Sequence, residues 1–248
     1  MLTEKRYEAI LDMIKRNRTV SVQELTEKLG ISESTARRDL TALDNIGKIK
    51  KVYGGAVALT VDYATKDLSM TEKSSLYFEE KDRIAKYAAA LIRPDDFVFI
   101  DAGTTTQLLT EHITQTQAVY VTNSLKHASI LAGKGCRTIL LGGELKNITE
   151  ALVGSETVDA LQKYNFTIGF FGTNGADEAL GCTTPDISEA MVKKNAIFRC
   201  ARAYVLCDHS KFHKISPVTF ARFNAVTFIT DKITIEKYKG YNNIVEVE

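Results

Sequence analysis

The spacing of apolar residues divides the chain into two regimes, helical at the front and strand-like behind. In TEKRYEAILDMIKRN (residues 3–17), Tyr7, Ile10, Leu11 and Ile14 recur at i, i+3, i+4 and i+7, one face of an amphipathic helix. Val22, Leu25 and Leu29 share the face of a second, shorter helix. Ser21 and Glu24 open it with capping-box spacing, and Gly30 offers the left-handed turn that stops it. Ser32 then caps a third helix, in which Ala36, Leu40 and Leu43 run at i, i+4 and i+7 before Gly47. Two short helices across a tight glycine turn predict a helix-turn-helix. GKIKKVYGGAVAL follows, alternating apolar and basic residues up to Gly54–Gly55. It predicts a short hairpin, or wing, that carries Lys48, Lys50, Lys51 and Tyr53.

Residues 59–76 have little periodicity and many small polar side chains, which reads as a linker. A helix face returns in YFEEKDRIAKYAAALI, with Ile84, Ala85, Ala88, Leu91 and Ile92 in register, and Pro94 breaks it. From there the runs FVFI, AVYV, TILL, FTIGFF, AYVL and AVTFI alternate with helical stretches. That alternation predicts an α/β domain with a mainly parallel sheet covered on both faces. The expected organisation is an α+β winged helix-turn-helix domain over residues 1–58, a linker over 59–76 and an α/β domain over 77–248.

Each apolar run ends in small, polar or ionic residues: DAGTTT, TNS, GGE, GTNGADE, CDHSK and TD. These occupy the carboxyl edge of a parallel sheet, where open α/β folds bind ligands. In DAGTTT, Gly103 permits close backbone approach, Thr104, Thr105 and Thr106 offer hydroxyls, and the next helix directs its N-terminal amides at an anion. No lysine follows the glycine and no GxGxxG is present, so a compact monophosphate fits better than a nucleotide. Asp101, Asn123, Asn174, Asp177 and Asp208 can hydrogen-bond hydroxyls, and Thr122, Gly143 and Gly175 come to the same edge. Lys193 or Lys211 can meet the phosphate. Glu189 and Lys193 stand at i, i+4, which is either part of this pocket or an ordinary helix-surface ion pair.

Composition narrows the function. At 248 residues and 44% hydrophobic content the chain has room for a proper core. No apolar run is long enough for a membrane span and the start is charged, so the expected place is the cytoplasm, with no membrane partner. Cys136, Cys182, Cys200 and Cys207 form no CxxC pair, and Cys207, His209 and His213 cluster on a strand end and a loop, where three candidate ligands are more often coincidence than a metal site. No metal and no cofactor are expected. Residues 1–58 carry 11 Lys and Arg against 8 Asp and Glu, and the remainder 21 against 23, so the positive excess lies at the front. There the third helix turns Ser34, Thr35, Arg37, Arg38 and Thr41 outward, with Ser32 at its start and Lys51 and Tyr53 on the wing. Such side chains suit phosphate oxygens and base edges in a major groove.

STARRDLTALDNIGKIKKVYGGA closely resembles the winged helix-turn-helix signature of the DeoR family of bacterial transcription regulators. It departs in having Ala36 where isoleucine is usual, and Lys51 and Tyr53 where arginine and histidine are common. IDAGTTT, VTNS, LGGE, GTNG, TTPDISEA and DHSKF, in that order, resemble the family's sensor domain. The resemblance implies a fold related to ribose-5-phosphate isomerase, whose active-site segments GADE (175–178) and DHSK (208–211) are similar to. Overall similarity to repressors of fructose or related phosphotransferase operons implies fructose 1-phosphate as first candidate effector. Two functions compete. One is a repressor, not an enzyme, that is released from double-stranded operator DNA by a phosphorylated sugar and acts as a homodimer or homotetramer. The other is a sugar-phosphate isomerase, with Glu189, Asp177 and Lys211 as base and oxyanion partners. An isomerase has no use for the first 58 residues, and fold likeness alone carries no activity.

Overall fold

The computed structural model describes residues 2–17, 19–58, 62–63 and 69–247. It forms two units, Met1–Val61 with Thr234–Lys239, and Asp62–Ile233 with Gly240–Glu248.

The first unit runs α1 (Thr3–Asn17), β1 (Thr19–Ser21), α2 (Val22–Leu29), α3 (Glu33–Asn45), β2 (Ile49–Val52) and β3 (Gly55–Ala58). The caps form as the sequence predicts. Ser21 and Glu24 close a reciprocal capping box, Gly30 is left-handed at φ 63°, and the Ser32 side chain accepts from the Thr35 amide. Ile10, Ile14, Leu25, Ala36, Leu40, Leu43 and Ile49 make one buried core. The wing is three-stranded, because β1 pairs antiparallel with β3 beside the β2–β3 hairpin. Three residues between two helices carry no periodicity that could announce β1. Asp39 lies on the buried face of α3, where Arg6 of α1 grips it by Nε to Oδ2 at 2.7 Å and Nη2 to Oδ1 at 3.1 Å. Such a fork fixes direction as well as distance, so it sets how α3 sits on α1.

The second unit begins with β4 (Asp62–Tyr63), α4 (Met70–Ser75), α5 (Phe78–Ala89), β5 (Phe97–Ile100) and α6 (Thr104–His112). It continues through β6 (Val119–Thr122), α7 (Leu125–Gly133), β7 (Arg137–Leu140), β8 (Glu144–Lys146), β9 (Ala151–Val153) and α8 (Ser155–Leu161). Then come β10 (Ile168–Gly172), β11 (Gly175–Asp177), β12 (Gly181–Thr184), α9 (Ile187–Phe198) and β13 (Ala203–Leu206). The unit ends with β14 (Lys214–Ile215), β15 (Val218–Ala221), β16 (Thr227–Thr230) and β17 (Ile244–Glu246).

Seven strands form a parallel sheet in the order β17-β16-β13-β10-β5-β6-β7. Its central strands are buried on both faces, with Val98, Phe99, Ile100, Phe170, Phe171 and Val205 at 0% exposure, which is why they read as unbroken apolar runs. From β5 the chain builds outward through β6 to β7, then returns to place β10 on the other side of β5 and builds through β13 and β16 to β17. The direction of winding therefore reverses between β5 and β10, the place where open α/β sheets leave a crevice at their carboxyl edge.

Of the expected linker, residues 59–61 and 64–68 lie outside the described residues. The rest differs from the expectation. β4 pairs with β14, and Met70–Ser75 is a helix started by a Ser69–Glu72 capping box. Six residues are too few to display a helical period, so only the cap was available as a signal.

Candidate functional site

A cavity of about 170 Å³ opens at the point of reversal. Its walls come from the carboxyl ends of three adjacent strands. Ala102 to Thr105 follow β5, Gly172 to Asn174 end β10, and Cys207, Asp208 and Lys211 follow β13. α9 contributes Glu189 and Lys193, and the Met70 to Leu76 stretch closes one side with Lys73. The space is small beside the several hundred Å³ of a typical drug-sized site, which favours a compact ligand.

Five lysines line the cavity, Lys73, Lys81, Lys193, Lys211 and Lys214, against two carboxylates, Glu189 and Asp208. Lys193 is already matched, since its Nζ sits against Asp101 Oδ2. Burial pushes the Asp101 carboxyl up and the Lys193 ammonium opposes it. Glu189 is matched too, accepting from Lys146 Nζ at 2.9 Å, from Thr149 Oγ1 and from Thr184 Oγ1 at 3.3 Å. The remaining side is cationic. Lys81, 3% exposed, donates to the Lys73 carbonyl; burial lowers its ammonium from 10.5 to about 8, with Lys211 and Lys73 adding to the shift and Asp208 opposing it. Asp208 caps the following turn through Oδ1 to the Ser210 amide at 3.0 Å, while its buried Oδ2 has no hydrogen-bond partner among the described residues. A buried carboxylate oxygen without a donor is costly and rare, and it is satisfied when a ligand hydroxyl enters.

The start of α6 adds a neutral anion site. Gly103 is its N-cap and supplies no side-chain cap, so the first amides of the helix face the cavity. His127, 0% exposed, stands behind this loop with Nε2 3.3 Å from the Gly103 carbonyl, and burial lowers its imidazole to about 4. It is therefore neutral at pH 7 and adds no charge.

Of the residues expected here, Gly103, Thr104, Thr105, Asn174, Glu189, Lys193, Asp208 and Lys211 line the cavity. Asp101, Thr106, Thr122, Asn123, Gly143, Gly175 and Asp177 do not. Asp101 is a post that holds Lys193 and the Gly172 amide, and Thr106 turns its hydroxyl back to the Gly103 carbonyl. Thr122 ends β6, Asn123 follows it and Gly143 follows β7, all on the far side of β5 from the reversal. Asn123 instead fixes the loop by accepting from the Ala102 amide at 3.0 Å and donating to the Leu152 carbonyl. At Gly143 and Gly175 a Cβ would stand 2.0 Å from Thr157 Oγ1 and 2.3 Å from the Lys214 carbonyl, so both are packing positions. Asp177 Oδ1 accepts from the Ala179 amide at 2.9 Å and closes its own turn. The alternative of an ordinary helix-surface ion pair does not hold: Glu189 and Lys193 are buried and each has a nearer partner than the other.

Lys73, Lys81 and Lys214 were not foreseen. Lys81 had a signal, because it precedes Ile84, Ala85 and Ala88 at i+3, i+4 and i+7 and so falls on the apolar face of α5. Among the described residues no group of three His, Cys, Asp or Glu side chains is placed to hold a metal ion. His209 Nδ1 lies 2.7 Å from Asp231 and His213 Nδ1 3.4 Å from Asp177, so the two histidines serve different carboxylates. No helix among the described residues is long and apolar enough to cross a membrane.

In the first unit, Arg37 and Arg38 are exposed on the outer face of α3, as is Ser34, with Thr35 and Thr41 half-buried beside them. Among the described residues Arg37 pairs with Glu33 at 3.3 Å, an exposed pair that holds it loosely. Ser32 Oγ lies 2.9 Å from both Ser34 Oγ and Thr35 Oγ1. Lys51 Nζ donates to Thr41 Oγ1 at 2.7 Å, which joins wing to helix, and Tyr53 at the hairpin tip is fully exposed.

The DeoR-like helix-turn-helix domain matches residues 6–61 and the DeoR C terminal sensor domain matches residues 77–232. The chain is 40% identical over 243 residues to the uncharacterized HTH-type transcriptional regulator FruR of Bacillus subtilis (strain 168), covering 96% of each. It is 35% identical over 251 residues to the lactose phosphotransferase system repressor of Streptococcus mutans, covering 100% of this chain and 99% of that one. Among solved structures it is similar to ribose 5 phosphate isomerase A from Neisseria gonorrhoeae, with 15% identity, TM-score 0.40, and coverage of 53% of this chain and 52% of that one. A likeness that partial lends no catalytic role to any residue. The curated relatives are regulators rather than enzymes. With the sensor-domain match alone spanning more than half of its length, the chain belongs to the DeoR family of transcriptional regulators.

Proposed function

We propose that this protein represses a sugar phosphotransferase or sugar-utilisation operon in the cytoplasm and leaves its operator when a phosphorylated sugar fills the cavity. The observation that carries the proposal is the cavity's mixed chemistry. Lys73, Lys81 and Lys211 gather positive charge beside the uncapped start of α6, and Asp208 presents a buried carboxylate oxygen with no donor among the described residues. A phosphate suits the lysines and the helix start, and a sugar hydroxyl suits Asp208. The relatives named for the lactose phosphotransferase system support the class of operon. Fructose 1-phosphate is the first candidate. It exists only after the sugar has entered and been phosphorylated, and so reports supply.

In this scheme residues 1–58 read DNA and residues 77–248 sense the effector. Ser32, Ser34, Thr35, Arg37, Arg38, Thr41, Lys51 and Tyr53 meet double-stranded operator DNA. One such module spans few base pairs, so two or four copies act together on a repeated or palindromic site. Effector alters operator affinity only by its differential affinity for the two states of the protein, typically about 1–3 kcal/mol. The experiment is calorimetry with a panel of sugar phosphates and their unphosphorylated sugars. Binding that needs both the phosphate and the hydroxyls supports the proposal, and binding by none of the panel contradicts it.

A further inference from the structure

α9 carries two unlike faces. Glu189 and Lys193 line the cavity, while Ile187, Met191 and Phe198 are 65%, 51% and 84% exposed. At about 100° per residue, positions 187, 191 and 198 fall within about 40° of arc, with residue 194 at its margin and 189 and 193 on the opposite side. Single exposed apolar side chains are ordinary on any surface, but three large ones aligned along one helix are the mark of a contact surface.

The charges around this stripe indicate what covers it. Lys194 is exposed on the stripe itself, and α8, which packs against α9, exposes Glu156 and Asp159. A basic group thus stands on the strip, and the helix packed against α9 exposes two acidic groups. Self-association about a twofold axis requires a surface that complements itself, each copy offering what the other needs. We propose that this face of α9 docks against the same face of a second copy of the chain, the two helices antiparallel. In that arrangement Ile187 of one copy meets Phe198 of the other, Met191 lies near the axis, and Lys194 reaches the carboxylates on α8. The effector cavity and the contact between copies then occupy two sides of one helix, a consequence that rests on the effector reading above, whereas the docking itself does not.

Sedimentation equilibrium on the full chain without any sugar phosphate tests the docking alone. The wild-type protein is expected to dimerise at micromolar concentration. Phe198→Glu and Met191→Glu should each raise the dissociation constant about thirtyfold or more, the loss typical of a central interface anchor. Both positions are exposed in the single chain, so the circular dichroism spectrum should not change. Lys194→Glu should weaken the dimer, and adding Glu156→Lys with Asp159→Lys should restore it, an exchange that a foreign partner cannot produce. A wild-type chain that stays monomeric at tens of micromolar overturns the proposal. So does an unaltered dissociation constant in Phe198→Glu, or a charge exchange that fails to restore association.

Discussion

Lys81→Met should make the empty protein more stable and insensitive to its effector. In the wild-type protein burial lowers the Lys81 ammonium from 10.5 to about 8, so the fold disfavours the charged form. A shift of this size corresponds to at most about 3 kcal/mol, and water at the cavity mouth screens it to about 1–2 kcal/mol. The sign follows from the direction of the shift. The penalty is fully present below pH 8, where Lys81 is charged in both states, and fades between pH 8 and 10.5, where the fold has already released the proton. Methionine keeps the stem and removes the charge, so at pH 7 Tm should rise by about 2–4 °C for each kcal/mol recovered. The advantage should shrink toward pH 10. Against this, the loss of a charge-assisted hydrogen bond to phosphate should weaken effector binding by about 1.5–3 kcal/mol, ten- to hundredfold. Differential scanning calorimetry across pH gives the first quantity and isothermal titration the second. A variant less stable than its parent at pH 7, with a difference indifferent to pH, refutes the burial argument. Undiminished affinity for every sugar phosphate refutes the placement of the anion.

Three further outcomes are expected. Arg37→Ala and Arg38→Ala should each fold normally and weaken operator binding in a gel shift; loss of a base contact costs about 1–3 kcal/mol and relaxes specificity at one position, while loss of a phosphate contact weakens all sequences alike. Unchanged affinity in both contradicts the assignment of α3 as the reading helix. His127, lowered to about 4 by burial, costs nothing above pH 6.5 and should remove up to about 3 kcal/mol of stability as pH falls from 6.5 to 4, where only the unfolded chain gains the proton; an acid profile that His127→Gln leaves unaltered contradicts this. Purified protein should not interconvert ribose 5-phosphate and ribulose 5-phosphate, because Glu189 is held by three donors rather than standing free as a base, and turnover that vanishes in Glu189→Gln would reverse that conclusion.

Much of the fold was legible because local chemistry and tertiary structure agree. Ser21 with Glu24, Ser32 and Gly30 mark the ends of α2 and α3 by the same hydrogen bonds that the folded protein makes. The runs FVFI and IGFF are unbroken because both faces of the sheet are covered. The order of strands is another matter. Polar residues end every strand alike, and only the reversal between β5 and β10 decides that Thr104 and Asp208 share a cavity while Thr122 and Gly143 do not. Buried charges lie between these cases. Asp39 falls in register with Ala36, Leu40 and Leu43, and Lys81 in register with Ile84, Ala85 and Ala88, so a charge on an apolar face was the available signal. Neither neighbour was legible, since Arg6 lies 33 residues from Asp39, and Asp208, whose charge acts on Lys81, comes from a segment more than a hundred residues away. Lys73 and Lys214 sit in elements of six and two residues, where periodicity has no meaning.

The central claim is that a phosphorylated sugar in this cavity takes the protein off DNA. The direct measurement is fluorescence anisotropy of a labelled duplex, selected by the protein itself from a random library, while fructose 1-phosphate and related sugar phosphates are titrated into the complex. One sugar phosphate should lower operator affinity about five- to 150-fold, the span of a coupling of about 1–3 kcal/mol. Lys81→Met and Lys211→Met should bind the duplex as the parent does and remain bound at the same effector concentration. Anisotropy that no sugar phosphate changes, or release that proceeds equally in both lysine variants, contradicts the account.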